Sequence, residues 1–228
     1  MNQLHQSRSK NVRLRQLAHL RQQTRWPKYG CIGDYHGGKY ECEFVSPYTR
    51  SANNVNALLM ILLQDWASDK VLKESFLQDR VSIGHDPTRQ TNHRLKQLLV
   101  EHFGFYLKDV YATNVFPFVK RGSMGASIPK SDLARAAREF ALPQIEIVKP
   151  RIAICLGKAA YNAVALAGNK RPALTLADAM NNPFMIGASG VWCQPHPGRN
   201  SVDQVRKSWS KMARAYNSTS HRQSSKIA

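Results

Sequence analysis

Four short apolar runs, each stopping at polar residues, constrain this chain more than any other feature. The first, Leu58-Leu59-Met60-Ile61-Leu62-Leu63, is followed by Gln64-Asp65-Trp66. A run this short and branched suits a buried strand of a parallel sheet, and ligand sites lie beyond the carboxyl ends of such strands. The later runs are Val110-Tyr111-Ala112-Thr113-Asn114, Arg151-Ile152-Ala153-Ile154-Cys155-Leu156-Gly157 and Val191-Trp192-Cys193-Gln194-Pro195-His196-Pro197. An acid (Asp65), an amide (Asn114) and an imidazole (His196) are therefore expected on one edge of one sheet.

Helical periodicity separates the runs. Leu95, Leu98, Leu99 and Phe103 mark an apolar face before the second, and Leu133, Ala136, Ala137, Phe140, Ile145 and Val148 mark one before the third, which Pro150 ends. Further helices are expected over about 157–167 and 202–216. This alternation predicts an α/β fold: a single three-layer α/β/α domain with a central, mostly parallel four-stranded sheet. The domain spans 29–216, preceded by a basic N-terminal arm over 1–28. A polar, Ser-rich tail over 217–228 is expected to be disordered. In the arm, Val12, Leu14, Leu17 and Leu20 suggest a short amphipathic helix carrying Arg8, Lys10, Arg13, Arg15, Arg21 and Arg25 outward.

Thirty-three Lys and Arg against 15 Asp and Glu leave a formal charge of +18. Such a surface attracts a polyanion; nucleic acid is the leading partner and an anionic membrane surface the rival. No apolar run approaches the roughly 20 residues of a spanning helix, and the basic N-terminus lacks the apolar core and cleavage site of a signal peptide. A cytoplasmic, nucleoid-associated monomer without membrane contact is expected. Cys31, Cys42, Cys155 and Cys193 form no C-x-x-C pair and read as structural thiols, so no metal and no other cofactor is expected.

Gln64-Asp65-Trp66 after its strand resembles the centre of the Gly-Gln-Asp-Pro-Tyr motif of the uracil-DNA glycosylase superfamily. Thr113-Asn114-Val115, Leu156-Gly157-Lys158-Ala159-Ala160 and His196-Pro197 follow in that family's order, and 91–161 is similar in texture to its bacterial branch. Leu63 and Trp66 stand where the common motif has Gly and Pro, and the cysteine pattern that holds an iron–sulfur cluster in many bacterial members is missing. An alternative alignment takes Gly84-His85-Asp86-Pro87 as the first motif, with Asp86 in place of Asp65.

The resemblance implies a monofunctional hydrolase that excises uracil or a related deaminated base after base flipping, in base-excision repair. Asp65 would position or activate water and counter the sugar cation, and His196 would donate to the departing base. Asn114 offers a donor and an acceptor to the edge of a flipped uracil. Gln64 and Trp66 would contact the base, with Phe116 and Phe118 as weaker stacking candidates. Arg199 would fill the gap left in the duplex, and Ser46, Gly157, Lys158, Lys120 and Arg121 would grip the DNA backbone. The plainer alternatives are a helix cap for Asp65, loop-satisfying roles for Asn114 and His196, and solvated surface for the basic residues. At the level of the whole chain, a catalytically inactive DNA-binding member of the same fold stands as the alternative. A different α/β hydrolase or nucleotide-binding protein lacks support, because neither a phosphate loop nor a Gly-x-Ser-x-Gly elbow is present.

Overall fold

The computed structural model describes residues 2–224. After the first helix, α1 (Asn2–Gln23), a segment of turns leads to β1 (Leu59–Asp65). Three helices follow, α2 (Asp69–Glu74), α3 (Gln78–Ser82) and α4 (Gln90–Phe103), and then β2 (Tyr111–Phe116). A long helical stretch comprises α5 (Lys130–Ala136), one π turn (Ala137–Ala141) and α6 (Leu142–Val148). The chain continues through β3 (Ile152–Leu156), α7 (Lys158–Ala167), α8 (Leu176–Asn181), β4 (Phe184–Ile186), β5 (Ser189–Gln194) and α9 (Val202–Ser224).

The sheet order is β2-β1-β3-β5-β4. The first four of these strands run parallel, with Leu63 beside Asn114, Leu62 beside Cys155 and Leu156 beside Gln194, whereas β4 runs antiparallel to β5. The chain winds from β1 outward to β2 and then returns to the other side for β3. That reversal opens a crevice above the carboxyl ends of β1 and β3, where open α/β sheets bind ligands.

Alternation along β1 feeds two cores. Met60 and Leu62 face one layer with Ala18 of α1, Phe140, Ile145 and Val164 of α7. Leu59, Ile61 and Leu63 face the other, with Leu95, Leu98 and Leu99 of α4 and Val205, Trp209 and Met212 of α9. Burying each such aliphatic side chain contributes about 1.5–3 kcal/mol, so both layers hold the sheet and neither is ornamental. The three-layer architecture is the expected one.

Several expectations need correction. The sheet has five strands, because β4 adds a short antiparallel edge; its residues Phe184-Met185-Ile186 are apolar but only three, too short a run to stand out as a strand. The basic arm is one helix docked on the body. Leu14 and Ala18 are buried, whereas Val12 and Leu20 are half exposed. Arg21 points inward and is fully buried: it ion-pairs with Glu41 at 2.6 Å and donates to the carbonyls of Cys42 and Phe44. Lys10 likewise turns toward the body, donating to the carbonyls of Val55 and Val148. At the other end α9 continues through 217–224, so that part of the expected disordered tail is helical, and 225–228 lie outside the described residues. All four cysteines are buried and free. Among the described residues no helix is long and apolar enough to cross a membrane.

Candidate active site

A cavity of about 520 Å³ lies above the carboxyl ends of the strands. Asp65, Asn114 and His196, expected together from sequence, all line it, as do Gln64, Trp66, Gly157, Lys158 and Arg199.

Asp65 is the last residue of β1. Its Oδ1 accepts from Gln64 Nε2 at 2.8 Å and its Oδ2 lies 2.9 Å from Lys120 Nζ. Lys120 comes from the segment after β2, which runs beside Ser68 and accepts from the Asp69 amide at 2.9 Å. Its ammonium, almost fully buried, also donates to the Met124 carbonyl at 2.6 Å. Asp65 is not a helix cap: the helix after β1 begins only at Asp69, with Ser68 at the cap position.

Asn114 sits on β2 and is completely buried. Ser46 accepts from the Tyr48 amide at 3.3 Å and donates its hydroxyl proton to Asn114 Oδ1 at 2.6 Å. That bond aims the amide, and Nδ2 has no partner among the described residues.

His196 follows β5 in a short loop. The Gly198 amide donates to its Nδ1 at 3.1 Å, so the ring proton resides on Nε2. Burial, reinforced by the nearby Arg199 cation, pushes its pKa down to about 4, and the imidazole is neutral at physiological pH. Arg94 of α4 holds this loop through the carbonyls of Pro197 and Asn200 at 2.7 and 3.2 Å. Gly157 closes the wall between His196 and β3: its φ of 97° favours glycine, and its amide donates to the Gln194 carbonyl at 2.8 Å.

The residues expected to grip DNA divide. Lys158 and Arg199 are exposed at the cavity rim. Arg121 is exposed but lies outside the lining, with its guanidinium donating to the Pro27 carbonyl at 3.4 Å. Ser46 and Lys120, expected to grip the DNA backbone, are both buried, the first held by Asn114 and the second by Asp65. Phe116 and Phe118 are packed with Trp26 and are absent from the lining. Trp66 is buried against Tyr40 and donates its indole N–H to the Gly84 carbonyl at 2.8 Å.

Sequence reasoning passed over Arg80 and weighed the Gly84 to Pro87 segment only as an alternative first motif. Arg80 is 4 % exposed, lies 5.6 Å from the Trp66 ring centre and reaches Asp86 only at 3.9 Å. The Gly84 to Pro87 segment lies between α3 and α4 with no strand before it, so it cannot serve as the first motif. Its Asp86 is engaged by Thr88 and Arg89, yet His85 and Asp86 line the same cavity. Their presence as a motif was the signal; their place in space was not legible.

Carboxylate, amide donor and neutral imidazole donor around one crevice, with arginine and lysine on its rim, can bind a planar polar ring and stabilise charge developing on either side of a breaking bond. No curated protein matches the chain. The model of the uracil DNA glycosylase superfamily matches residues 47–218, a stretch that contains β1 to β5 and every cavity-lining residue, and the chain belongs to that superfamily.

Proposed function

We propose that this protein is a DNA glycosylase that hydrolyses the N-glycosidic bond of uracil, or of a related deaminated base, once the nucleotide has left the stack, as the opening step of base-excision repair. The observation that carries the reading is the convergence of Asp65, Asn114 and His196 from three parallel strands on one cavity.

In this reading the C1′–N bond breaks with its electron pair moving to the base, while water adds to C1′ and releases a proton to the surrounding water, from which the departed base anion takes one up. Asp65 orients that water and offsets the cationic sugar; Lys120 and Gln64 hold its carboxylate in place. His196 Nε2–H, donated by a neutral ring, meets the base as negative charge grows on it. The rim cations Arg89, Lys158 and Arg199 contact phosphates, and Arg199 fills the space the base vacates. The resulting enzyme is monofunctional: Lys120, the amine beside Asp65, is buried, ion-paired and absent from the cavity lining.

One observation favours the second reading, a DNA-binding member without catalysis: both Asp65 oxygens are engaged and its charge is countered by a buried lysine. A single assay separates the two. Under single-turnover conditions, oligonucleotides carrying deoxyuridine, deoxyinosine or deoxyxanthosine are incubated with protein and then treated with alkali. Scission is expected, and Asp65→Asn should slow it by about 10²-fold or more, within the range for a positioned acid–base group, with DNA affinity retained. No scission on any of the three substrates would leave the binding protein as the reading.

A further inference from the structure

Asn114 Oδ1 already accepts from the Ser46 hydroxyl at 2.6 Å, and Nδ2 has no partner among the described residues. The cavity therefore holds a buried donor without an acceptor, and a base that meets it with a carbonyl brings a neighbouring ring N–H that a second residue can bind.

His85 fits that requirement. It is 3 % exposed, lines the same cavity, and stacks on Tyr48 with ring centres 4.9 Å apart and planes 24° from parallel. Its Nδ1 lies 3.1 Å from the Ile83 carbonyl. Ser51 Oγ also lies 3.2 Å from Nδ1 and turns its own proton to the Tyr48 carbonyl at 3.5 Å; with the Ile83 carbonyl able only to accept, Nδ1 carries the proton and Nε2 is a bare acceptor. Nε2 is buried and has no partner among the described residues. Leaving such a group unpaired costs free energy that a ligand would recover. The loop that presents His85 is rigid: Trp66 donates to the Gly84 carbonyl, and Gly84, at φ 79°, lies so close that a Cβ would overlap the Pro47 carbonyl oxygen. Burial, with Lys96 nearby, pushes the His85 pKa down to about 4 and keeps the ring neutral.

We propose that His85 Nε2 accepts a hydrogen bond from the ring N–H of the extruded base, while Asn114 Nδ2 donates to the adjoining carbonyl. The substrate class is then any base that places an N–H next to a C=O. Uracil, hypoxanthine and xanthine do so, and so do thymine and guanine, which this pair of bonds alone does not reject. Cytosine and adenine carry an unprotonated ring nitrogen at that place, which would set acceptor against acceptor and leave both buried groups unsatisfied. This assignment rests on the glycosylase reading and deepens it; His85 is a binding residue in a motif whose role was otherwise unassigned.

The test compares deoxyuridine with its N3-methyl derivative, which lacks the N–H, in otherwise identical oligonucleotides. Excision is measured, and binding is measured with uncleavable 2′-fluoroarabino versions of both. Wild-type protein should reject the methylated base by about 100-fold or more. His85→Phe keeps a ring against Tyr48 but removes the acceptor and should reduce that ratio to a few-fold, chiefly by weakening uracil; His85→Gln should restore part of it. In wild-type protein labelled with ¹⁵N-histidine, the Nε2 signal of His85 should move toward a hydrogen-bonded acceptor when the uracil analogue binds. Equal treatment of the two bases by wild-type protein, an unchanged ratio in His85→Phe, or a static Nε2 signal in the bound complex would overturn the assignment. If no base is excised, the glycosylase reading fails while the binding and ¹⁵N measurements still decide the role of His85.

Discussion

Lys120 shows how much a single side chain can alter a site without touching what enters it. An ammonium that is 2 % exposed has left water, and its ion pair with Asp65 at 2.9 Å and its bond to the Met124 carbonyl replace that hydration. The pair fixes the carboxylate but also dilutes its negative charge, so Lys120 acts as a positioning residue. Lys120→Met should leave Asp65 a buried charge without its main partner, lowering the excision rate constant by about 10-fold or more while DNA affinity stays within a few-fold. Lys120→Arg should recover part of the rate. A Lys120→Met enzyme with full activity and an unchanged pH profile would remove the pair from catalysis. Borohydride should trap no DNA on the wild-type chain, as expected if this amine never reaches the sugar.

Among the elements, α1 is the one whose sequence is most easily misread. Its many cations suggest a solvated arm, yet one of them, Arg21, is the most deeply buried residue of the helix and supplies hydrogen bonds to the Cys42 and Phe44 carbonyls as well as the pair with Glu41. Arg21→Ala should therefore destabilise the protein by roughly 3 kcal/mol, read from urea unfolding, since the partly exposed Glu41 and two carbonyls lose their donor. A change below about 0.5 kcal/mol, the usual scale for surface substitutions, would return α1 to the status of a loose arm. The four parallel strands and the helices between them were legible because their apolar runs and periodicities are local properties. The convergence of Asp65, Asn114 and His196 was legible because strand ends share an edge. Ser46, Lys120 and Arg21 were not, because a polar side chain is buried only by virtue of a partner far away in sequence, here Asn114, Asp65 and Glu41. His85 was visible as a letter in a motif and invisible as a cavity wall for the same reason.

At the scale of the whole molecule, the two cavity histidines link the site to acid stability. Both have pKa values pushed from near 6.5 to about 4 by burial first, then by Lys96 for His85 and by Arg199 for His196. Between those values the unfolded chain binds protons that the folded chain refuses. Stability should therefore fall as pH drops from about 6.5 toward 4 and be insensitive to these groups above that window. Melting temperatures measured at pH 7, 6 and 5 should decline through the series, and His85→Gln should decline less steeply. Identical melting behaviour at pH 7 and 5 would show that the rings are solvated rather than buried.

The order of strands also sets the sequence of events during synthesis. β1 lies between β2 and β3, both encoded after it, and β5 joins only on the far side of β3. Apart from the β4–β5 hairpin, every strand pairing closes a long loop, which slows folding relative to local pairings. Asp65 thus emerges from the ribosome early and waits, whereas His196 follows the last strand to be made. A nascent chain that has completed β1 to β3 possesses the acid and the amide but neither the imidazole nor the wall formed by Gly198 and Arg199. Closure of the cavity is therefore among the last properties the growing chain acquires.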